Sequence, residues 1–219
     1  MFHTDPFSLI VLFVGLSLLP FVAMIATSYL KIVVVMSLIR NALGIQSIPP
    51  NMVINALAMI LTFYIMAPVC NESWQIAQTE LANKPAAVYE TDALARAAEP
   101  FREFLVRQTS PQSRAFFVTT AERLWGDPET DEPAIVDPDS FYILLPSFCV
   151  SELTKAFQIG FLVYLPFIAI DIIVSNILLA MGMMMVSPVT ISLPFKLLLF
   201  VMVNGWTLLI QGLVRGYVQ

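Results

Sequence analysis

Residues 141–188 read FYILLPSFCVSELTKAFQIGFLVYLPFIAIDIIVSNILLAMGMMMVSP, and the chain stays largely apolar from there to Gln219. Since about 20 apolar residues suffice to cross a membrane as a helix, this stretch predicts membrane-embedded α-helix. Charged side chains interrupt the block at Glu152, Lys155, Asp171, Lys196 and Arg215. The first four lie within apolar sequence, where an unpaired charge costs roughly 2.5–3.5 kcal/mol at the bilayer centre. We therefore expect those four to pair, to face water or to contact another subunit.

The composition of the chain is that of an integral membrane protein. Hydrophobic residues make up 58% of its 219 residues and charged residues 12%, whereas soluble domains are about 45–50% apolar and about 25% charged. The net charge of −5 originates in residues 71–140, where acidic residues outnumber basic ones. We predict a first membrane hairpin over residues 1–70, an acidic helical insert over residues 71–140 and a second membrane hairpin over residues 141–219. The lack of clustered basic residues argues against nucleic-acid binding.

Hydrophobic runs and turn residues predict an all-α membrane protein with about four long, kinked hydrophobic helices in two hairpins. The first helix is expected from Phe7 to Arg40 with a kink at Pro20, and the second from about Asn51 to Val69. The N-terminus has no basic region before its apolar run. We therefore expect that run to remain as a helix rather than to be cleaved as a signal peptide.

The second apolar block allows two interpretations. Residues 141–186 would measure about 69 Å as a straight helix at 1.5 Å per residue, which exceeds the ~30 Å hydrocarbon core of a bilayer. The stretch is either two short spans broken near Pro166 or one long kinked helix that leaves the bilayer. The last helix is expected from about Ile191 to Val214.

Small and polar residues mark one face of the second helix. Asn51, Asn55, Ala58 and Thr62 follow one another at helical spacing. Such stripes usually face neighbouring helices rather than lipid, so we expect this face to contact protein.

Basic residues give the expected orientation. Lys31 and Arg40 lie near the first turn, and the positive-inside rule places such a turn in the cytoplasm. The acidic insert and both termini would then lie outside.

The charges of the second block have spacings that permit pairing. Glu152 and Lys155 are three residues apart, so a helix places them on one face. Asp171 and Lys196 lie on opposite sides of the turn, about 16 Å and 12 Å from it along their helices, and therefore at similar depth in an antiparallel hairpin. A salt bridge within the hairpin or between protomers is one interpretation, and a proton or ion relay is the other. The spacing favours structural pairing.

The turn between the last two helical segments is rich in methionine, with Met181, Met183, Met184 and Met185 around Gly182. Methionine often only fills gaps in a core, but these residues do not follow the spacing of a helical core. Flexible thioether side chains at a turn could instead form a hydrophobic constriction, which is a recognised form of gate.

Patterns typical of catalysis and metal binding are absent from the sequence. The single histidine is His3, and no Gly-rich phosphate loop, zinc-protease motif or nucleophile elbow is present. Cys70 and Cys149 are not spaced for a metal site, and we expect two free, buried thiols rather than a disulfide. We therefore predict no enzyme, no cofactor and no metal.

Motifs in both apolar blocks resemble those of the FliP/SctR proteins. In the first block they are TSYLKIVVV (27–35), LIRNALG (38–44) and IPPNM (48–52). In the second block they are LPSF (145–148), SEL (151–153), AFQIGF (156–161), LPF (165–167), ID (170–171), MGMMM (181–185), SPV (187–189) and LPFKL (193–197). The insert at residues 71–140 carries no signature of that family.

The resemblance implies a core component of the export apparatus of type III secretion systems. In that family, five copies assemble helically with small SctS/FliQ-like subunits and one SctT/FliR-like subunit. Together they form the entry pore for unfolded export substrates, and their hairpins sit partly above the bilayer plane. The family's methionine loop forms a gasket around the closed pore and would correspond here to Met183, Met184 and Met185. Its intersubunit charge contacts would correspond to Glu152, Lys155, Asp171 and Lys196.

The short N-terminus is similar to that of injectisome members, because flagellar relatives usually carry a cleaved signal peptide. The resemblance therefore implies a homo-oligomeric, multi-pass protein of the bacterial inner membrane, in contact with lipid, with its acidic insert in the periplasm. In the first hairpin, the candidate site residues are the polar positions Lys31, Arg40, Asn51 and Asn55. An alternative function is an ion-coupled secondary transporter or channel that uses Asp171 and Lys196, and a scaffold without a pore is a third.

Overall fold

The computed structural model describes residues 6–45, 48–83, 92–126 and 134–218, and most of them lie in α-helices. The helices of these ranges are α1 (Pro6–Ile25), α2 (Tyr29–Ala42), α3 (Asn51–Asn83), α4 (Asp92–Ala97), α5 (Glu99–Gln108), α6 (Pro111–Leu124), α7 (Phe141–Ala180), α8 (Pro188–Met202) and α9 (Gly205–Val218). No strand occurs within the described ranges, so the predicted all-α class is confirmed. His3 lies outside these ranges.

Two helices of the described chain are long and apolar enough to cross a membrane by themselves. They are Asn51–Glu80, within α3, and Phe141–Ala180, which is α7. Two bent pairs raise the number to four if each pair is counted as one span: α1 from Phe13 with α2, and α8 with α9. By length and composition, the structure thus has the long apolar helices that the sequence predicted.

The chain divides into two compact units. The first comprises Met1–Leu30 and Val69–Val150, and the second comprises Lys31–Pro68 and Ser151–Gln219. Helices α3 and α7 each contribute one part to each unit. The sequence-based division into two membrane hairpins and an insert describes where each part lies relative to a membrane. That division stays a prediction.

The first unit contains the helices of the acidic insert. Phe104 of α5 and Phe148 of α7 are buried, with their ring centroids 5.8 Å apart, so an aromatic contact joins the insert to the start of α7. Arg114 of α6 pairs with Asp139 just before α7. Helices α4, α5 and α6 all lie within residues 71–140, where the sequence predicted a helical insert.

Both cysteines are free thiols in the first unit. The expectation that both would be buried is wrong for Cys70, which is exposed on α3. Cys149 is half-buried, and its thiol donates to the carbonyl of Ile25, with sulfur and oxygen 3.5 Å apart.

The first two helix boundaries differ from the sequence-based expectation. Helix α1 continues through Pro20 and ends at Ile25, and just beyond its end the hydroxyl of Thr27 donates to the carbonyl of Ala23 at 2.5 Å. Helix α3 runs past Val69 to Asn83. The polar composition that begins near residue 71 does not end the helix, because the residues there are mostly good helix formers.

In the second apolar block, the long helix is continuous and the last helix is interrupted. Helix α7 is unbroken over Phe141–Ala180, so a break near Pro166 is wrong and the single-helix interpretation holds. The last helix is interrupted, since α8 and α9 meet at a 59° bend. Asn204 has a φ of 52° there, and a Cβ on Gly205 would lie 2.2 Å from the ring of Phe200. Asn-Gly is a recognised turn signal that the hydrophobic run obscured.

Candidate functional site: two buried charge clusters and a methionine turn

The second unit contains two clusters of buried charged and polar side chains and one exposed apolar turn. The glutamate cluster consists of Lys31, Glu152, Lys155 and Tyr217. The aspartate cluster consists of Asp171, Ser192 and Lys196. The methionine turn consists of residues 181–186, between α7 and α8. Each of the three includes residues that the sequence singled out.

Glu152 is the centre of the glutamate cluster, and its side chain is completely buried. One carboxylate oxygen, Oε1, lies 3.1 Å from the Nζ of Lys155, and the other, Oε2, lies 3.1 Å from the Nζ of Lys31. The hydroxyl of Tyr217 donates to Oε2 as well. The Nζ of Lys31 also lies 3.5 Å from the centroid of the Tyr217 ring, a cation–π contact. One carboxylate thereby connects α2, α7 and α9.

The three charges of the glutamate cluster are unequally buried. The side chain of Lys31 is 4% exposed and that of Lys155 is 37% exposed. A buried charge needs a partner and further hydrogen bonds to offset its lost hydration, and Glu152 supplies this for Lys31. Two ammonium groups of different exposure thus share the carboxylate of Glu152.

The aspartate cluster is electrically neutral. The Nζ of Lys196 lies 2.6 Å from Oδ2 of Asp171, and the hydroxyl of Ser192 donates to Oδ1 at 2.6 Å. Lys196 also donates to the backbone carbonyl of Ala42 at 3.3 Å. Its side chain is 4% exposed, whereas that of Asp171 is 32% exposed. The cluster connects α7 and α8 with the C-terminal end of α2.

The turn between α2 and α3 is closed by Arg40. Its Nη1 donates to the side-chain oxygen of Asn51 and, at 3.3 Å, to the carbonyl of Pro49. Because these acceptors lie at and just before the start of α3, Arg40 fixes the entry of the chain into that helix. Asn55, the remaining first-hairpin position, is exposed on α3.

The predicted stripe on α3 is only partly buried. Ala58 and Thr62 are buried. The Thr62 hydroxyl donates a hydrogen bond to the carbonyl of Ala58 at 2.8 Å. Asn51 and Asn55 are exposed. The N-terminal half of the stripe therefore remains open within the second unit.

The methionine turn exposes its apolar side chains. Gly182 has a φ of +73°, a backbone conformation that favours glycine, and the chain reverses there between α7 and α8. The side chains of Met184 and Met185 are 83% and 101% exposed, and Met181 and Met183 are exposed as well. Contiguous exposed apolar residues are typical of interaction surfaces.

Sequence reasoning missed two members of the clusters, Ser192 and Tyr217, and singled out Lys31 without relating it to Glu152. Ser192 lies four residues before Lys196 on α8, so helical spacing could have placed it beside the lysine. Tyr217 lies 65 residues from Glu152, and Lys31 belongs to the other apolar block. No local pattern relates those two residues to the glutamate. Among the described residues, no group of His, Cys, Asp and Glu side chains is arranged to hold a metal ion.

Known proteins resemble this chain along nearly its whole length. The FliP family model matches residues 12–213. The Yop proteins translocation protein R of Yersinia pestis is 51% identical over 217 residues, which cover 97% of each chain. The hypersensitivity response secretion protein HrcR of Ralstonia nicotianae is 48% identical over 212 residues, 96% of each chain. The virulence protein YscR of Salmonella typhimurium is 47% identical over 216 residues, 97% of each chain.

These matches confirm the resemblance that the sequence motifs carried, including its injectisome branch. They identify the chain as a component of a type III secretion apparatus rather than an enzyme, and its apolar helices are those of an inner-membrane protein. Since the family model spans residues 12–213 and relatives near 50% identity cover almost every residue, the chain belongs to the FliP family.

Proposed function

We propose that this chain is a pore-forming subunit of an injectisome export gate through which unfolded proteins cross the inner membrane. The observation that carries the proposal is the methionine turn. Its four methionine side chains are exposed at the tip of a hairpin between two apolar helices, and those of Met184 and Met185 are 83% and 101% exposed. Exposed apolar residues at a tip are costly unless other copies or a substrate bury them.

Several copies around one axis would bring their methionine turns together. Met183, Met184 and Met185 would then form an apolar ring, which blocks ions because a narrow hydrophobic constriction excludes water. Methionine suits this role since its unbranched side chain adapts to different neighbours. The ring could therefore seal when empty and yield around a passing chain.

The proposed assembly contains five copies of this chain together with SctS/FliQ-like and SctT/FliR-like subunits. The acidic insert would lie in the periplasm, as the basic residues near the first turn indicate. Large apolar side chains remain exposed on α7, including Phe157, Phe161 and Leu162. In the assembly these would be covered by lipid or by neighbouring subunits.

The charge clusters support a structural role over the alternative of an ion-coupled transporter. A relay needs groups that exchange a proton or an ion as the cycle proceeds. Lys196 instead donates to both Asp171 and the carbonyl of Ala42, and Ser192 occupies the other carboxylate oxygen. This arrangement fixes α7, α8 and α2 in one register and leaves both charges compensated, so the structure offers more support for the gate.

The gasket is tested by replacing Met183, Met184 and Met185 together with alanine. We expect the assembled complex to conduct small ions when reconstituted into planar bilayers, whereas the unaltered complex stays closed. The matched control is Met202→Ala, which removes an equally exposed methionine from α8 outside the turn. Unchanged conductance in the triple variant, in complexes of normal composition, would overturn the gasket role. A particle without a central channel or with another copy number would overturn the ring.

A further inference from the structure

We infer that the methionine turn is a reversible oxidation site, at which a peroxide converts the thioethers of Met183, Met184 and Met185 into sulfoxides. Its reactivity follows from the exposure of these side chains and does not require a pore. Its effect on ion conductance rests on the proposed gate, because only a constriction lined by these residues would change when they become polar. The substrate class is a small dissolved oxidant rather than a protein or a lipid.

The methionine side chains of the turn are open to solvent. A dissolved oxidant reaches an exposed thioether directly, whereas a buried one reacts only when the structure opens locally. The side chains of Met183, Met184 and Met185 are exposed. Met36 on α2 and Met66 on α3 are buried in contrast. The turn therefore presents three consecutive methionines to an oxidant, while other methionines of the same unit are protected.

The backbone of the turn adds to this access. The turn lies between the end of α7 at Ala180 and the start of α8 at Pro188, so its side chains lack the shielding that neighbours one helical turn away provide. An added Cβ on Gly182 would meet nothing within 4 Å, which leaves space at the centre of the turn among the described residues. A small oxidant can therefore approach the thioethers from more than one side.

Oxidation would change the one property on which a hydrophobic seal depends. No charged residue lies between Asp171 and Lys196 in the sequence, so the tip of the hairpin is uncharged. Each sulfoxide adds an oxygen and turns a flexible apolar side chain into a polar one. A hydrophobic constriction closes by excluding water, so a ring lined by sulfoxides would hold water and conduct ions.

The reaction with hydrogen peroxide is a transfer of one oxygen atom. A lone pair of the sulfur attacks one peroxide oxygen, the S–O bond forms and the O–O bond breaks. The sulfur loses two electrons, and the peroxide is reduced to water. Methionine sulfoxide reductases, one for each sulfoxide epimer, reverse the change. With a dithiol as reductant, the oxygen leaves as water and the two thiols become a disulfide, so the turn can be switched in both directions.

Peptide mass spectrometry tests the site itself. The assembled complex is treated with hydrogen peroxide for increasing times, and each sulfoxide is detected as a gain of about 16 Da. We expect Met184 and Met185 to react at least about tenfold faster than Met36 and Met66, because the buried pair waits for local opening. Equal rates at all four positions, or protection of the turn in the assembled complex, would overturn the inference.

Conductance in planar bilayers tests the effect of oxidation. We expect hydrogen peroxide to raise the conductance of the closed complex to that of the variant with alanine at the three turn positions. Methionine sulfoxide reductases with dithiothreitol should return it to the starting level. Met183→Leu, Met184→Leu and Met185→Leu together remove the oxidisable sulfurs and keep the turn apolar, so peroxide should not alter the conductance of that variant. The matched control, Met52→Leu with Met202→Leu, replaces exposed methionines outside the turn and should keep the full response.

Failure of the oxidation effect and failure of the gate give different results. If the turn is oxidised and the conductance stays at its starting level while the alanine variant leaks, the gate stands and the inference is overturned. If the alanine variant also stays closed, the gate fails, and the peptide oxidation rates alone decide whether the turn is an oxidation site. A peroxide response that persists in the leucine variant would place the sensitive residue elsewhere and overturn the inference.

Discussion

Each of the two charge clusters of the second unit joins helices through a carboxylate paired with lysine, but the two carboxylates differ in burial. In the glutamate cluster the carboxylate is completely buried and serves two lysines and a tyrosine. In the aspartate cluster the carboxylate is one-third exposed and serves one lysine and one serine. Since the cost of an unpaired charge grows with its burial, breaking similar ion pairs in the two clusters is expected to reduce the free energy of unfolding by different amounts. Removing one member at a time makes that difference measurable.

The largest effect is expected for Glu152→Gln, which keeps the shape of the side chain and removes its charge. Lys31 would remain buried without a counter-charge, and breaking such a pair costs about 3–5 kcal/mol. We expect the upper end, about 5 kcal/mol, from thermal or denaturant unfolding of the protein in detergent. Glu103→Gln, at an exposed position on α5, is the matched control. A loss below about 1 kcal/mol would show that Lys31 has another acceptor, and the ranking of the clusters would then fail.

A smaller loss is expected for Asp171→Ala. Lys196 would lose its carboxylate, but the carbonyl of Ala42 would still accept from it, and water can reach the partly exposed site. We therefore expect about 3 kcal/mol, the lower end of the range for a broken buried pair, together with weaker assembly on native gels. Adding Lys196→Ala should restore part of the assembly. If the double variant is no better than the sum of the two single losses, the pairing is not what holds these helices together.

The individual charges of the second block were predictable from the sequence, but the networks that contain them were not. Glu152 and Lys155 share a helix, so local spacing relates them, and the length of α7 and α8 brings Asp171 to the depth of Lys196. Lys31 and Tyr217 reach Glu152 only because α2 and α9 pack against α7. That packing depends on how whole helices fit together, which a pattern within one segment does not contain.

The helix boundaries were also only partly predictable from the sequence. The sequence predicted a kink at Pro20 and allowed a break near Pro166 as one of two interpretations, and both helices continue through these positions. The interruptions occur instead just before Thr27 and at Asn204-Gly205. The Asn-Gly signal is local and was present in the sequence, but the continuous run of apolar residues around it predicted one uninterrupted helix.

Tyr217→Phe should sharpen the comparison by removing the hydroxyl that donates to Glu152 in the glutamate cluster. The ring stays against Lys31, so the cation–π contact is kept, and Glu152 keeps both lysines. A hydrogen bond to a charged group contributes about 1.5–3 kcal/mol, and we expect about 1.5 kcal/mol by the same unfolding measurement. Tyr142→Phe, at an exposed position on α7, serves as the control. A loss as large as that of Glu152→Gln would mean that the tyrosine, rather than the lysines, determines the state of the carboxylate.

The smallest effect is expected for Lys155→Met, which removes the more exposed cation of the glutamate cluster. Glu152 would still pair with Lys31 and Tyr217, and partly exposed ion pairs rarely contribute more than about 1 kcal/mol. We therefore expect a change below about 1 kcal/mol in neutral detergent, and little dependence on added salt afterwards, because the remaining pair is buried. A loss of several kcal/mol would show that Glu152 needs both lysines, and the ranking of the cluster's members by burial would then fail.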